Sequence, residues 1–237
     1  MNSEELYKQG GYLKLNPTWD VAHCPWKAKQ VIRMLQKHNI VPATICEVGC
    51  GSGEILNQLQ QQSIHDCVFW GYEISPQAFD LCQTRIKENL HFKLKDILEE
   101  DEVFFDLILL MDVIEHIENY FDFLRKIKSK SHYKVLHIPL DLTVLGVLLN
   151  SQLKARNAVG HIHYFSKDIA LQMLKELNYE VVDYFYTPIY ADLAELGMDH
   201  PSLKTSIITP IRKLAHSLHQ DTAARLVGGV SLLVLAK

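Results

Sequence analysis

The order of apolar and polar residues predicts a chain that alternates between strands and helices. Apolar or alternating runs at 44–48, 67–74, 91–97, 104–112, 133–139, 179–186 and 230–236 predict seven strands. Apolar residues at helical spacing follow several of them, at 54–59, 120–130 and 167–177. The run at 104–112 is almost continuously apolar, which is typical of a central strand covered on both faces. This order predicts an α/β fold with a largely parallel sheet.

The residues before the first strand predict a separate helical cover. Residues 1–40 contain a predicted helix at 26–38, and Tyr12, Trp19 and Trp26 lie in the same segment. These aromatic residues either close over a ligand or anchor the segment to the core. We therefore expect an N-terminal helical lid at 1–40 and the main domain at 41–237.

Two stretches have no place in a minimal sheet of seven strands. They span 140–164 and 187–229, and both follow strands whose ends should face the ligand cleft. The second is too long for an unstructured loop in a compact domain, and a helix is predicted at 208–218. We expect the two insertions to form a cap over the site, and 187–229 to be a possible homodimer contact.

The first strand ends in an acidic residue and three glycines, Glu47, Gly49, Gly51 and Gly53. Glycine allows the backbone to approach a ligand closely, and the helix that follows exposes unpaired N–H groups at its start. A nicotinamide fingerprint needs a further glycine at position 54, which is Glu54 here. A phosphate-binding loop needs Lys followed by Ser or Thr, and none occurs in this turn.

This pattern resembles the first motif of class I S-adenosylmethionine-dependent methyltransferases. The resemblance covers about residues 40–185 and is greatest to small-molecule methyltransferases related to those of quinone biosynthesis. It implies a doubly wound, Rossmann-like sheet of seven strands, mostly parallel with an antiparallel last strand and helices on both faces. It also implies S-adenosylmethionine as cofactor, which carries a sulfonium and an ammonium but no phosphate, so that a nearby acid attracts it.

Further candidate cofactor residues follow the next three strands. Glu73 lies 20 positions after Gly53, where a ribose-binding acid is expected, with Ile74 beside it. The resemblance assigns an adenine contact to Asp96 and Ile97. Since the carboxyl ends of parallel strands meet at one crevice, the residues after the fourth strand should join this site; these are Met111, Asp112 and Val113.

Histidines are the candidate catalytic residues. Methyl transfer requires alignment of acceptor, methyl group and sulfur, and a hydroxyl acceptor also requires a base. His116 is the first candidate, and a packing role is its alternative. His161 and His163 alternate and should share a face in extended chain. We assign a catalytic role to His163, with a structural role as an equal alternative.

A divalent metal is the other possibility at this position. Residues 112–116 resemble, with Asp for the first Glu, a Glu-x-x-Glu-His pattern that holds a divalent ion in quinone-pathway O-methyltransferases. On that resemblance Asp112, Glu115 and His116 would be ligands. Adjacent residues diverge by ~100° on a helix, and Asp112 is already assigned to the cofactor. We therefore predict no metal.

Composition limits the remaining function classes. The chain has 237 residues and a formal net charge of −4, which argues against a nucleic-acid partner. Its five cysteines show neither paired nor metal-binding spacing, as expected for reduced thiols in the cytoplasm. No signal-like N-terminus or apolar run long enough for a membrane span is visible.

These observations predict transfer of a methyl group to a small-molecule acceptor, with oxygen favoured over nitrogen or carbon. One alternative is a catalytically silent cofactor-binding subunit that scaffolds or regulates a partner through 187–229. A nicotinamide oxidoreductase is the second alternative, and the missing glycine argues against it.

Overall fold

The computed structural model describes residues 3–62, 66–188 and 203–237. Its seven strands form one sheet in the order β3-β2-β1-β4-β5-β7-β6. The strands are β1 (Thr44–Val48), β2 (Val68–Glu73), β3 (Leu90–Leu94), β4 (Phe105–Met111), β5 (Ser131–Pro139), β6 (Val181–Pro188) and β7 (Val230–Ala236). Strands β1 to β5 pair in parallel, whereas β7 is antiparallel to both β5 and β6. The predicted fold class is confirmed.

The described helices agree with the predicted ones where the apolar spacing was clear, with ends shifted by a few residues. They are α1 (Ser3–Lys8), α2 (Gly11–Leu15), α3 (Cys24–Lys37), α4 (Glu54–Gln61), α5 (Pro76–Gln83), α6 (Tyr120–Lys128), α7 (Val144–Leu148), α8 (Ser151–Val159), α9 (Lys167–Glu176), α10 (Leu203–Leu218) and α11 (Gln220–Leu226). Short 3₁₀ turns occur at Val21–His23, Ile97–Glu99 and Ile114–His116.

Helices cover the sheet on both faces, because the central strands are apolar on both sides. On one face, α6, α9 and α11 pack against the sheet through residues such as Leu124, Leu174 and Ala224. On the other, α3 and α4 pack through residues such as Val31 and Leu56. Residues 107–110 of β4 are at most 1% exposed, as its near-continuous apolar sequence predicted. Fully burying one such aliphatic side chain contributes roughly 1.5–3 kcal/mol.

Both insertions contain helices in their described parts. The first, at 140–164, forms α7 and α8, and the second contains α10 and α11. Helix α10 begins at residue 203, five residues before the predicted start, and includes Pro210. Residues 189–202 lie outside the described part of the chain, so that the predicted dimer contact through 187–229 stays a prediction.

The described residues contain no helix that is long and apolar enough to cross a membrane. The five cysteines, Cys24, Cys46, Cys50, Cys67 and Cys82, are free thiols and all of them are buried. None forms a disulfide, in agreement with their spacing in the sequence.

Candidate active site

A cavity of about 930 Å³ lies where the parallel strands end at their carboxyl sides. Of the predicted cofactor residues, Gly53 is the one that does not line it. Those that do are Glu47, Gly49, Gly51, Glu73, Ile74, Asp96, Ile97, Met111, Asp112 and Val113. The structure therefore brings together, at one crevice, residues that are up to 66 positions apart in the sequence (113 − 47).

The three glycines of the turn after β1 have different roles. All have left-handed backbone conformations, with φ of +67° at Gly49, +56° at Gly51 and +75° at Gly53. A Cβ on Gly53 would lie 2.5 Å from the ring of Phe92, so Gly53 allows α4 to pack against β3. A Cβ on Gly51 would have a single near neighbour, Trp19 at 3.7 Å. Gly51 is therefore the glycine that keeps the cavity wall open.

Glu73 connects this turn to the end of β2. Its Oε2 accepts a hydrogen bond from the backbone N–H of Gly51 at 2.8 Å. Its Oε1 accepts from the N–H groups of Ile74 at 2.9 Å and Ser75 at 2.8 Å. Burial raises the pKa of Glu73, and these three hydrogen bonds oppose the rise. The carboxyl group thus fixes two segments of the cavity wall relative to each other.

A second buried acid, Glu47, lies near a mostly buried cation, Lys27. Glu47 is 1% exposed, and its Oε2 has no hydrogen-bond partner. Burial raises the pKa of Glu47 well above its usual value, although Lys27 opposes the rise. The Lys27 Nζ lies 2.8 Å from Asp112 Oδ2 and 3.4 Å from Asp20 Oδ2. Burial alone would lower the pKa of Lys27, but Asp112 and Asp20 raise it overall, so Lys27 is cationic.

Asp112 is engaged through both of its carboxylate oxygens. Oδ1 lies 2.5 Å from His137 Nδ1, and Lys27 binds Oδ2. The other ring nitrogen of His137 lies 2.9 Å from Thr187 Oγ1. Burial would raise the pKa of Asp112, but His137 and Lys27 outweigh it and hold the pKa far below its usual range. Asp112 also has a left-handed φ of +56°, a strained conformation of the kind found at functional sites.

Aromatic side chains from the N-terminal segment lie against the cavity. The Tyr7 and Tyr12 rings stack at 4.9 Å, and Tyr12 and Trp19 lie 4.7 Å apart. Trp19 is buried, its indole N–H has no hydrogen-bond partner, and its φ is +47°. A bulky residue at positive φ is a genuine outlier, and a buried unpaired donor is costly. The unpaired donor is explained if the Trp19 N–H donates to a ligand in the cavity, and the positive φ is backbone strain of the kind found at functional sites.

The candidate catalytic histidines have different positions. His116 lines the cavity, and its Nδ1 lies 3.1 Å from Tyr7 Oη and 3.2 Å from the Gly160 carbonyl oxygen. Burial and the neighbouring His161 lower the pKa of His116 to about 4, which leaves the ring neutral at pH 7. His161 also lines the cavity, with its ring 4.9 Å from that of His116.

His163 is not among the residues that line the cavity. Its Nε2 lies 3.2 Å from the Glu118 carbonyl oxygen, and its ring contacts Tyr120 at 4.7 Å. Residues 161–166 form no strand, so the alternation that placed both histidines on one face does not apply there. The acidic neighbour Glu115 is 1% exposed, and neither of its carboxyl oxygens has a hydrogen-bond partner.

Sequence reasoning did not assign Lys27, His137 or Tyr7 to the site. Lys27 and His137 meet Asp112 from α3 and β5, and Tyr7 reaches His116 across 109 positions of sequence. No local pattern signals such contacts. His161 belongs to the pair that the sequence singled out, although the catalytic role was assigned to His163.

Comparison with solved structures identifies neighbours that share the fold. Magnesium protoporphyrin IX methyltransferase from Synechocystis, solved with bound S-adenosylhomocysteine, is 14% identical with a TM-score of 0.59, covering 90% of this chain and 83% of its own. A methyltransferase from Archaeoglobus fulgidus is 17% identical with a TM-score of 0.56. The match covers 89% of this chain and 94% of the Archaeoglobus protein. The plantazolicin methyltransferase is 15% identical with a TM-score of 0.60. The match covers 99% of this chain and 96% of the plantazolicin enzyme.

Sequence comparison gives a family but no individual relative. A search among curated proteins finds no significant match. Residues 23–184 match the family model described as a methyltransferase domain, which is more than half of the chain. The class I resemblance of the glycine turn is thereby confirmed. The chain belongs to the methyltransferase domain family and is an S-adenosylmethionine-dependent methyltransferase of class I architecture.

Proposed function

We propose that this protein transfers the methyl group of S-adenosylmethionine to a hydroxyl oxygen of a small molecule. The observation that carries the proposal is the charge pattern of the cavity wall. Glu47, whose Oε2 has no hydrogen-bond partner, lines one cavity together with Lys27, Glu73 and the backbone of Gly51. This pattern suits a ligand with an ammonium, a carboxylate and ribose hydroxyls but no phosphate.

The cofactor contacts that we propose follow from these charges. Glu47 would accept from the cofactor ammonium, and Lys27 would bind its carboxylate. Glu73 would accept from the ribose hydroxyls through lone pairs that the three backbone N–H groups leave available. Asp96, whose Oδ1 accepts from the Leu98 N–H at 2.9 Å, would meet the adenine amino group, with buried Ile97 against the ring.

His116 is our candidate base, and His161 is its neighbour on the acceptor side. Because the pKa of His116 is lowered to about 4, its ring is unprotonated near neutral pH and can accept a proton from a hydroxyl acceptor. The aromatic lid of Tyr7, Tyr12 and Trp19 would exclude water and limit the size of the acceptor. His163 has no part in this proposal, since it lies outside the cavity lining. The five free thiols favour a cytoplasmic location.

Trp19→Phe should weaken S-adenosylhomocysteine binding by roughly 5- to 15-fold, the loss expected for about 1–1.5 kcal/mol of one hydrogen bond. The substitution keeps an aromatic ring against Tyr12 and removes the unpaired N–H. Calorimetric titration measures the change. Trp70→Phe is the matched control, because Trp70 is outside the cavity lining and should leave the affinity unchanged. Unchanged affinity in Trp19→Phe would exclude the N–H as a ligand donor.

His116→Ala should leave S-adenosylhomocysteine binding within about threefold and lower turnover by roughly 10²- to 10⁴-fold, as for loss of a general base. His132→Ala is the control, because His132 is exposed and packs on Phe104. Rates are compared once an acceptor is known. An unchanged rate in His116→Ala would make this histidine a packing residue.

An acceptor screen tests the proposal as a whole. The protein is incubated with S-adenosylmethionine labelled in the methyl group and with phenols, aliphatic alcohols, carboxylic acids and amines in separate reactions. We expect labelled product with a hydroxyl-containing class. Transfer to amines alone would overturn the choice of oxygen. Tight cofactor binding without transfer to any class would favour the catalytically silent subunit.

A further inference from the structure

We propose that Glu115, His116 and His161 form a binding site for one divalent transition-metal ion. The ligand atoms of these three residues lie within 4.8 Å of one another. Two of the residues come from the 3₁₀ turn after β4, and the third follows α8, so the site exists only in the folded chain. His116 and His161 line the cavity, which places the ion at its wall.

Two of the three separations between ligand atoms require only a small contraction to enclose an ion. His161 Nε2 lies 3.9 Å from Glu115 Oε1, and His116 Nε2 lies 4.0 Å from the same oxygen. Ligands bound at 2.0–2.2 Å in tetrahedral geometry are ~3.4 Å apart. These two separations must therefore shorten by roughly 0.5 Å. The ligand atoms of the two histidines, which lie within 4.8 Å of each other, must also approach.

Hydrogen bonds at Nδ1 orient the two histidine rings so that Nε2 of each faces Glu115. His161 Nδ1 lies 2.8 Å from Asp141 Oδ2, the carboxylate–histidine arrangement common around metal ions. His116 Nδ1 lies 3.2 Å from the Gly160 carbonyl oxygen, which can only accept. Both contacts place the proton on Nδ1 and the lone pair on Nε2, the atom nearer Glu115 in each ring.

The buried carboxyl of Glu115 is the independent observation that points to a ligand. Both of its oxygens are buried without a hydrogen-bond partner, although a buried polar group normally has one. Leaving such a group unpaired costs roughly 1–3 kcal/mol. A cation between Glu115 and the two imidazoles would satisfy it.

This ligand set differs from the one that the 112–116 pattern implied. Asp112 is engaged by Lys27 and His137, and His161 comes from outside the pattern. Two imidazoles and one carboxylate favour Zn²⁺, Fe²⁺ or Mn²⁺, whereas Mg²⁺ prefers oxygen ligands. Resting on the function proposed above, the ion would bind the acceptor oxygen and lower its pKa, and His116 would then act as a metal ligand in place of its role as a base.

Metal titration of the purified full chain after dialysis against EDTA tests the proposal. Calorimetry with Zn²⁺ should show one ion per chain, and Co²⁺ should give visible absorption without a thiolate charge-transfer band, which excludes the buried cysteines as ligands. His161→Gln and Glu115→Gln should each weaken binding by more than the roughly 10- to 100-fold expected for Asp141→Asn, which removes an outer partner. Mg²⁺ should bind far more weakly than Zn²⁺.

His163→Gln is the matched control, a histidine two positions from His161 that lies outside the cluster, and it should keep wild-type affinity for Zn²⁺. Each variant is first checked for a wild-type melting curve in EDTA. Equal Zn²⁺ binding in His161→Gln and wild type, or no uptake by wild type, would overturn the site. S-adenosylhomocysteine titration of the same samples separates this failure from failure of the proposed function, because cofactor binding needs none of the three residues.

Discussion

Gly51→Val is expected to abolish S-adenosylhomocysteine binding, with at least a 100-fold loss of affinity. Gly51 has a φ of +56°, and left-handed backbone costs roughly 1–2 kcal/mol for a residue with a Cβ. A Cβ there would enter the wall of the cavity and contact Trp19 at 3.7 Å. Branching at the Cβ adds two methyl groups to the same space. Calorimetric titration measures the loss.

Asn178→Val is the control that separates the effect of backbone strain in Gly51→Val from the effect of obstructing the cavity. Asn178 has a φ of +58°, is exposed and lies outside the cavity lining, so valine there meets similar strain without touching the site. We expect lower stability and unchanged affinity. Gly51→Ala should fall between wild type and Gly51→Val. Wild-type affinity in a folded Gly51→Val protein would contradict the cofactor site.

Glu73→Ala is expected to weaken S-adenosylhomocysteine binding by at least 100-fold and to destabilise the protein. It removes the proposed ribose acceptor and leaves three N–H groups without their partner, of Gly51, Ile74 and Ser75. Ser75 is fully buried, and one buried orphan donor costs roughly 1–3 kcal/mol. For a chain of this size, a loss of roughly 1–3 kcal/mol in the free energy of unfolding lowers the Tm by roughly 2–12 °C. Calorimetry and thermal melting measure the two effects.

Glu73→Gln keeps the shape of the side chain and one acceptor oxygen. We expect it to recover part of the stability and less of the affinity, because an amide accepts at one end only. Glu102→Ala changes an exposed acid and controls for net charge. If Glu73→Ala loses stability but binds as tightly as wild type, Glu73 holds the backbone without touching the cofactor.

The fold was predictable because its determinants are local. The apolar run at 104–112 predicted the buried centre of the sheet, and the strand at Val230–Ala236 was predicted with correct ends. The predicted ends of elements are wrong by one to five residues where the side-chain periodicity is weak. Helix α10 is an example, because it begins five residues before its predicted start. The helices α7 and α8 are short and carry little periodic signal.

The site residues could be predicted from the sequence only where the end of a strand carries a recognisable local motif. The acid-and-glycine turn marked Glu47, Gly49 and Gly51, because a ligand-binding turn needs those residue types in sequence. Lys27 and His137 were missed because they contact Asp112 only after α3 and β5 have packed beside β4. Gly53 fits the motif, yet its visible role in the structure is contact with Phe92.

Calorimetric titration of the purified protein with S-adenosylhomocysteine, with NAD as the control ligand, tests the central claim most directly. The charge pattern around Glu47, Lys27 and Glu73, with no cation placed for a pyrophosphate in the glycine turn, predicts saturable binding of S-adenosylhomocysteine at one site per chain and no response to NAD. Binding of NAD without S-adenosylhomocysteine would contradict the account.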